Sequence, residues 1–444
     1  MVWLALAALA VPLFAQTPAV EYAARLDHPR LLLPAKRQRL LERERERESL
    51  RWNQLNLLVS GGARMPEPGF AHALFYAASG DMEHGRKAVD WALGPGSDLR
   101  QIALVFDWCQ PLLSASDSER LIAKLKAGLA KSAGKQTSVV RNRVLAALAL
   151  AGHMKGVEHT VLKEVMEDWW KEKVLAPLET GRVPFLPEEH YALLELLHAI
   201  RDNTDVDLRE TAAKHFLTLP VFHILSHYPA PYPAAENEYR VPLMAAHGEP
   251  DLRGAVLSRA AALAMVAFDT NSQEMQFLQG WLIQDRYLMN STVGAPYEFL
   301  WANPYQPGLS FHYLPNIFHD PKTGRLIVRS HWEDDAVWFY QAAGQLQLFE
   351  NGVIRDLKKQ PLEHELVMGN TVLRPANMGL RFALETEEAA YYYVTGLKPE
   401  ARYEIEVDDE GLRELETDRG GLLELRFPAQ RKAGVRITES RQKD

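Results

Sequence analysis

Cysteine is nearly missing from this chain: Cys109 is the only one in 444 residues, which excludes an internal disulfide framework. It lies in the apolar helical stretch Ile102 to Cys109 and reads as a buried, inert thiol rather than a nucleophile. Positive charge is also in deficit. With 50 Lys+Arg against 58 Asp+Glu and a net charge of −8, no broad cationic surface exists for a phosphate backbone or an anionic membrane, so nucleic acid is excluded as the natural partner. Long apolar runs are absent apart from Val2 to Ala15, which is too short to span a bilayer. Glycine-rich phosphate loops, a Gly-x-Ser-x-Gly elbow and a His-Glu-x-x-His zinc helix are all missing. His223 and His227, four residues apart, have neither a third ligand nor an acid near them in sequence and read as core histidines, so no metal is expected.

What is there has globular proportions: 47% of residues are hydrophobic and 24% charged, at a length that suits two or three domains. The Val2–Ala15 run, ending in Ala15-Gln16, reads as a secretory signal peptide over residues 1–15. The expected location is therefore periplasmic or secreted, with a mature chain from residue 16.

From Pro34 to about Asp285 the hydrophobic period is near 3.6, with no strand between the helices. Helices are expected at Phe70 to Ala78, Glu83 to Leu93, Asp98 to Leu113, Ser116 to Ala130, Val139 to His153, Val157 to Leu175, Pro187 to Asp202, Val206 to Leu217, Asp251 to Phe268 and Ser272 to Gln284. An earlier one opens at Pro34, where the Glu/Arg alternation from Glu42 to Glu48 reads as a solvated face. So many consecutive helices with short links imply helix hairpins stacked in a ring or solenoid. After about residue 300 short β-branched and aromatic runs take over, among them Arg325 to Ser330, Ala336 to Ala342, Thr371 to Leu373 and Tyr391 to Thr395. Gly, Pro, Asn and Asp separate them, as in an antiparallel sandwich. Tyr403 to Val407 and the runs after it are expected to form a small separate sheet.

Three stretches carry a resemblance to a known family. They are His28-Pro-Arg-Leu-Leu-Leu33; Leu104-Val-Phe-Asp-Trp108 with Leu113-Ser114 and Glu119-Arg120; and Gly324-Arg-Leu-Ile-Val-Arg-Ser-His-Trp332 followed by Gly369-Asn-Thr-Val-Leu373. In this order the chain resembles the heparinase II/III-like polysaccharide lyases. The resemblance implies an α+β multidomain protein: an α/α toroid, an incomplete barrel of helix hairpins, over 16–300, an antiparallel β-sandwich over 301–395 and a C-terminal β extension over 396–444.

It also implies β-elimination on a uronic-acid polysaccharide, with no cofactor. Removing the proton α to a carboxylate builds charge on an anionic group, so the carboxylate must first be neutralised. In the place of the family's Asn-His pair stand Asn142 and Arg143, and an arginine can hold a carboxylate through two hydrogen bonds. The loop from Gly181 leads through Glu188 and Glu189 to His190 and Tyr191, where Tyr191, with His190 beside it, is the candidate acid or base. Glu189, Glu236, Tyr239, Arg240, Trp301 and Tyr305 are candidate substrate contacts. The family's His-rich sandwich segment is replaced: Trp338 to Gly344 runs directly into Gln345 to Gly352 with no histidine.

Two other classes stay open on the residues alone. Helical toroids also host glycoside hydrolases, where two carboxylates flank the bond, and Glu188, Glu189, Glu236 and Glu238 are available. A non-catalytic glycan-binding or cell-envelope protein would instead use aromatic faces such as Trp301, Tyr305 and Trp332. The sequence leaves the oligomeric state open.

Overall fold

The computed structural model describes residues 22–233, 238–244, 249–284, 288–303, 308–342 and 344–440. The expected signal peptide, Glu236 and Tyr305 lie outside them. The helical part runs α1 (Ala35–Glu46), α2 (Leu50–Ser60), α3 (Pro68–Ser79), α4 (Met82–Leu93), α5 (Leu99–Trp108), α6 (Ala115–Lys131), α7 (Thr137–Ala149) and α8 (Val157–Lys163). Wide helical turns over 164–175 carry α8 into α9 (Ala176–Glu179), and α10 (His190–Thr204), α11 (Ala213–Leu225), α12 (Leu252–Val266), α13 (Gln273–Gln284) and α14 (Gly294–Leu300) follow. The starts are written in the sequence. The side chains of Asp81, Asp98, Ser114 and Asp251 each accept a backbone N–H from the first turn of the next helix, satisfying donors that have no partner inside the helix.

Six helices pack in sequence order, α3 on α5, α5 on α7, α7 on α10, α10 on α12 and α12 on α14, and α14 packs back on α3. Their facing residues are the most buried in the chain, including Phe70, Leu104, Leu145, Leu193, Ala261 and Phe299. Two of the resembling stretches meet here. Asp107 on α5 accepts the backbone N–H groups of Arg30 and Leu31 at 2.8 Å and contacts His28 Nδ1 at 2.6 Å, while Trp108 Nε1 donates to Leu31 O at 2.8 Å. Those motifs hold the entering chain against α5.

Some expectations change. The Glu/Arg alternation is not simply a solvated face: Glu44 is buried, and Arg45 donates to Ala78 O and Ser79 O, the last carbonyls of α3. The expected helix at Val206–Leu217 is displaced to α11, which continues past Pro220 because Phe216, Leu219, Phe222, Ile224 and Leu225 bury on its neighbours. A short β pair, β1 (Tyr232–Pro233) with β2 (Glu238–Tyr239), interrupts the helices where none was expected.

The rest of the chain forms three sheets. The first is an antiparallel meander of β3 (Ile317–Asp320), β4 (Arg325–Arg329), β5 (Trp338–Ala342), β6 (Gln345–Glu350) and β7 (Val353–Asp356). The second takes β8 (Leu366–Met368), β9 (Thr371–Pro375), β11 (Ala390–Thr395) and β14 (Leu423–Phe427). The third takes β10 (Arg381–Thr386), β12 (Arg402–Val407), β13 (Glu410–Glu416) and β15 (Arg431–Glu439). Two sequence expectations fail here. β9 and β11 pair in parallel, so the sheets are not wholly antiparallel. The boundary at 395/396 also does not separate a sheet, because β10 pairs with β15 and β14 with β11 across it.

The layers explain the strand sequences. One face of β4, β5 and β6 (Ile327, Trp338, Tyr340, Phe349) packs into the helical core, and the other (Leu326, Val328, Phe339, Leu348) packs on the second sheet. Buried on both faces, β4 reads as a continuous Leu-Ile-Val run rather than an alternation. Trp338 Nε1 donates to Leu225 O at 2.7 Å, and Tyr228 OH donates to Gln347 at 2.8 Å, pinning the first sheet to the helices.

Candidate active site

Glu195 sits one turn after Tyr191 on α10, on the same helix face, and is wholly inaccessible to solvent. A charge inside Leu193-Leu-Glu-Leu-Leu197 needs partners, and four donors converge on it. Arg100 of α5 donates through Nε at 2.8 Å and Nη2 at 2.7 Å, Arg141 of α7 through Nη1 at 2.8 Å, and Tyr191 OH at 2.8 Å. Burial alone would raise the Glu195 carboxyl, but the two guanidiniums outweigh it and hold the pKa below the ordinary value. Tyr191 moves the other way. Burial first, then the Glu195 charge, hold its phenol well above 10, so it is a protonated hydroxyl at neutral pH.

A rim surrounds this centre. Trp301 Nε1 reaches Tyr191 OH at 3.3 Å, and the Tyr297 ring packs edge-on to Tyr191 with centroids 5.0 Å apart. Tyr297 OH donates to Glu67, which also lies 3.8 Å from Arg100 and 3.7 Å from the exposed Arg253. On the other side Arg141 Nε donates to Asn142 Oδ1 at 2.9 Å. That bond fixes the amide with its Nδ2 donors uncommitted among the described residues.

The structure therefore brings Asn142 and Tyr191 into one hydrogen-bonded chain through Arg141 and Glu195, and sends the other candidates elsewhere. Arg143 forms a two-bond pair with Glu164 at 2.8 and 2.6 Å, on a different face of α7. His190 points away from Tyr191, toward His223 with ring centroids 6.1 Å apart. Burial depresses its pKa to about 3, and its Nδ1 has no partner among the described residues. Glu189 accepts from Thr137 Oγ1 at 2.6 Å and from the Leu186 N–H at 3.1 Å, and contacts Lys173 at 3.3 Å, bracing the entry to α10. Tyr239 is buried in β2. Arg240 joins Pro229 O and Asp334, across to the sheets. Trp301 is 1% exposed and Tyr191 3%, so both lie below the surface, with Trp301 packed against the phenol oxygen it reaches.

Arg100, Arg141, Glu195, Glu67 and Tyr297 were not singled out from the sequence. One signal was there to read: Glu195 is a lone charge within the apolar helical stretch Leu193 to Leu197, the mark of a buried charge that needs a partner. His223 and His227 are core residues, the latter bonded to Ser258 Oγ at 3.1 Å. Among the described residues no group of three or more His, Cys, Asp or Glu is placed to hold a metal, and no helix is long and apolar enough to cross a membrane.

No family model matches the chain, and no curated protein matches it. Among solved structures, a heparan sulfate lyase HepC mutant from Pedobacter heparinus aligns over 84% of this chain and 76% of its own, at 12% identity and a TM-score of 0.38. A glycoside hydrolase aligns over 84% of this chain and 71% of its own, at 9% identity and a TM-score of 0.31. At those scores neither overlap establishes a shared fold.

Proposed function

We propose that this protein is a lyase-like enzyme acting on uronic-acid-containing polysaccharide by β-elimination, on an α/α toroid, in the periplasm or outside the cell. The closed packing order of six helices supports the toroid. The observation that supports the reaction is the chain Asn142–Arg141–Glu195–Tyr191, in which Glu195 links an arginine, and through it an amide, to a protonated phenol. In this reading Asn142 and Arg141 hold the uronate carboxylate and stabilise the charge that develops as the α-proton leaves. Tyr191 moves both protons in one step: its phenol oxygen takes the α-proton as its own O–H proton passes to the departing glycosidic oxygen. The C–H electrons form the double bond, the C–O electrons leave with the oxygen and the phenol is restored. With Tyr191 3% exposed, substrate binding has to uncover it. Glu195 positions both: it orients the phenol and pairs with the two guanidiniums inside the helical core. Arg143, whose two terminal nitrogens are held by Glu164, takes no part in gripping the uronate in this reading, and Arg141 takes that place. His190, a neutral imidazole facing another helix, belongs to the packing between α10 and α11.

The test is ultraviolet absorbance during incubation with heparan, chondroitin, alginate and pectin types, since elimination creates a C4–C5 double bond and hydrolysis does not. A rising signal on one polymer is expected. Tyr191→Phe should reduce it by about a hundredfold or more, and Asn142→Ala by a similar factor. Full activity in Tyr191→Phe refutes the assignment. Glu67 and Glu195 both abut Arg100, which gives a hydrolase reading some footing. However, an inverting or retaining hydrolase needs a carboxyl with a raised pKa, and Glu195 is held low. New reducing ends without new absorbance would favour that alternative.

A further inference from the structure

A cavity of about 730 Å³ opens between the loop at 181–186, which leads into α10, and the end of the layer between the first two sheets. It shares no residue with the Tyr191 cluster, and its volume falls in the ~300–1,000 Å³ range of small-molecule sites. Its electrostatics run against the rest of the chain. In a protein of net charge −8, no Asp or Glu lines it, while Arg182, Lys358 and Arg419 do.

These cations differ from those of the helical core, where Arg100, Arg141 and Arg143 each pair with a carboxylate. Here the polar contacts are to neutral oxygens: Arg419 to Thr180 O, Lys358 to Gly344 O, and Arg182 Nε to Thr180 Oγ1 at 3.2 Å. The arms are positioned by these contacts, and no described carboxylate oxygen lies within 4 Å of the three charged groups. Asn377 adds an amide at the mouth, and Phe339 and Leu357 supply apolar wall. An acidic sugar ring matches that combination, with C–H groups on its faces, hydroxyls at its edge and one carboxylate or sulfate.

We propose that this cavity is an accessory binding site for an acidic saccharide unit, holding the polymer at a second point away from the reacting bond. The choice of a glycan over another anion rests on the proposed function; the site itself does not depend on the reaction. A second point of attachment raises the effective concentration of the chain at the first.

The test is calorimetric titration of the full chain with a sulfated uronate tetrasaccharide, a neutral tetrasaccharide of the same length, and inorganic sulfate. Binding of the acidic tetrasaccharide alone is expected, weakening as salt rises. Arg182→Gln combined with Lys358→Gln should weaken it about tenfold or more and flatten the salt dependence. Asn377→Trp, which fills the mouth without removing charge, should weaken it as well, with an unchanged melting temperature confirming the fold in both. Unchanged affinity in both variants overturns the proposal, as does equally tight binding of sulfate or of the neutral tetrasaccharide. Binding at this cavity with no elimination on any polymer would refute the proposed function and leave the site standing. Elimination with binding indifferent to both variants would do the reverse.

Discussion

Replacing Glu195 with leucine removes the carboxylate on which Arg100 and Arg141 converge and leaves two guanidiniums facing each other inside the helical core. The lost contacts are 2.7 to 2.8 Å long and solvent does not reach the carboxylate, so little water can replace it. Breaking a buried pair by removing one partner costs about 3–5 kcal/mol, mostly as the penalty for the charge left behind. At about 2 °C per kcal/mol for a large domain, the melting temperature should fall by roughly 6–10 °C in scanning calorimetry. A second arm separates charge from packing. With Arg100→Met added to Glu195→Leu, both positions carry apolar side chains and the stranded Arg100 charge is gone. About half of the loss or more should then return, because replacing both partners of a buried pair is often close to neutral. Arg141 keeps Asn142 and is 12% exposed, so it tolerates the change better than Arg100. A loss below about 1 kcal/mol for Glu195→Leu, or strictly additive losses in the double variant, would refute the claim that Glu195 is the counter-charge of this cluster.

Other predictions concern pH and backbone. Burial holds His190 at a pKa of about 3 and His227 at about 4; the unfolded chain therefore binds protons more tightly, and stability should fall as pH drops below the ordinary histidine value of 6.5. Each contributes up to about 1.4 kcal/mol per pH unit, which urea titrations between pH 7 and 4 would detect; flat stability over that range contradicts the burial. His319 acts in the opposite sense. Burial lowers its pKa, but hydrogen bonds from its ring to Asp418 at 3.0 Å and Glu424 at 3.1 Å raise it overall. The stabilisation is complete below pH 6.5 and lost as pH rises through the raised value, so His319→Asn should cost stability at pH 6 and less at pH 9. Gly324 has φ +64°, and a Cβ there would overlap the Gly420 nitrogen. Gly324→Ala should destabilise by more than the ~1–2 kcal/mol of the left-handed conformation alone, and a neutral result would mean the two turns are not in contact.

The sequence alone determined the division into a helical half and a sheet half, since periods of 3.6 and 2 are local consequences of which face each element buries. It also determined several helix starts, through Asp and Ser caps, and the inert character of Cys109, which burial raises to a pKa of about 12. Tyr191 and Asn142 were visible as candidates because their motifs are contiguous. Only the tertiary structure decided that Arg141, and not Arg143, joins them: residues two apart on a helix point about 200° apart around its axis, and packing selects which of them faces the core. Long-range pairing likewise settled the sheets. Strand order, the parallel β9–β11 pair and the interleaving across residue 395 depend on contacts between segments far apart in the chain. A run such as Leu326-Ile-Val328 says that both faces are buried without saying against what. The cluster around Glu195 belongs to the same kind of fact, because its four donors come from α5, α7 and α10 and become neighbours only when those helices pack.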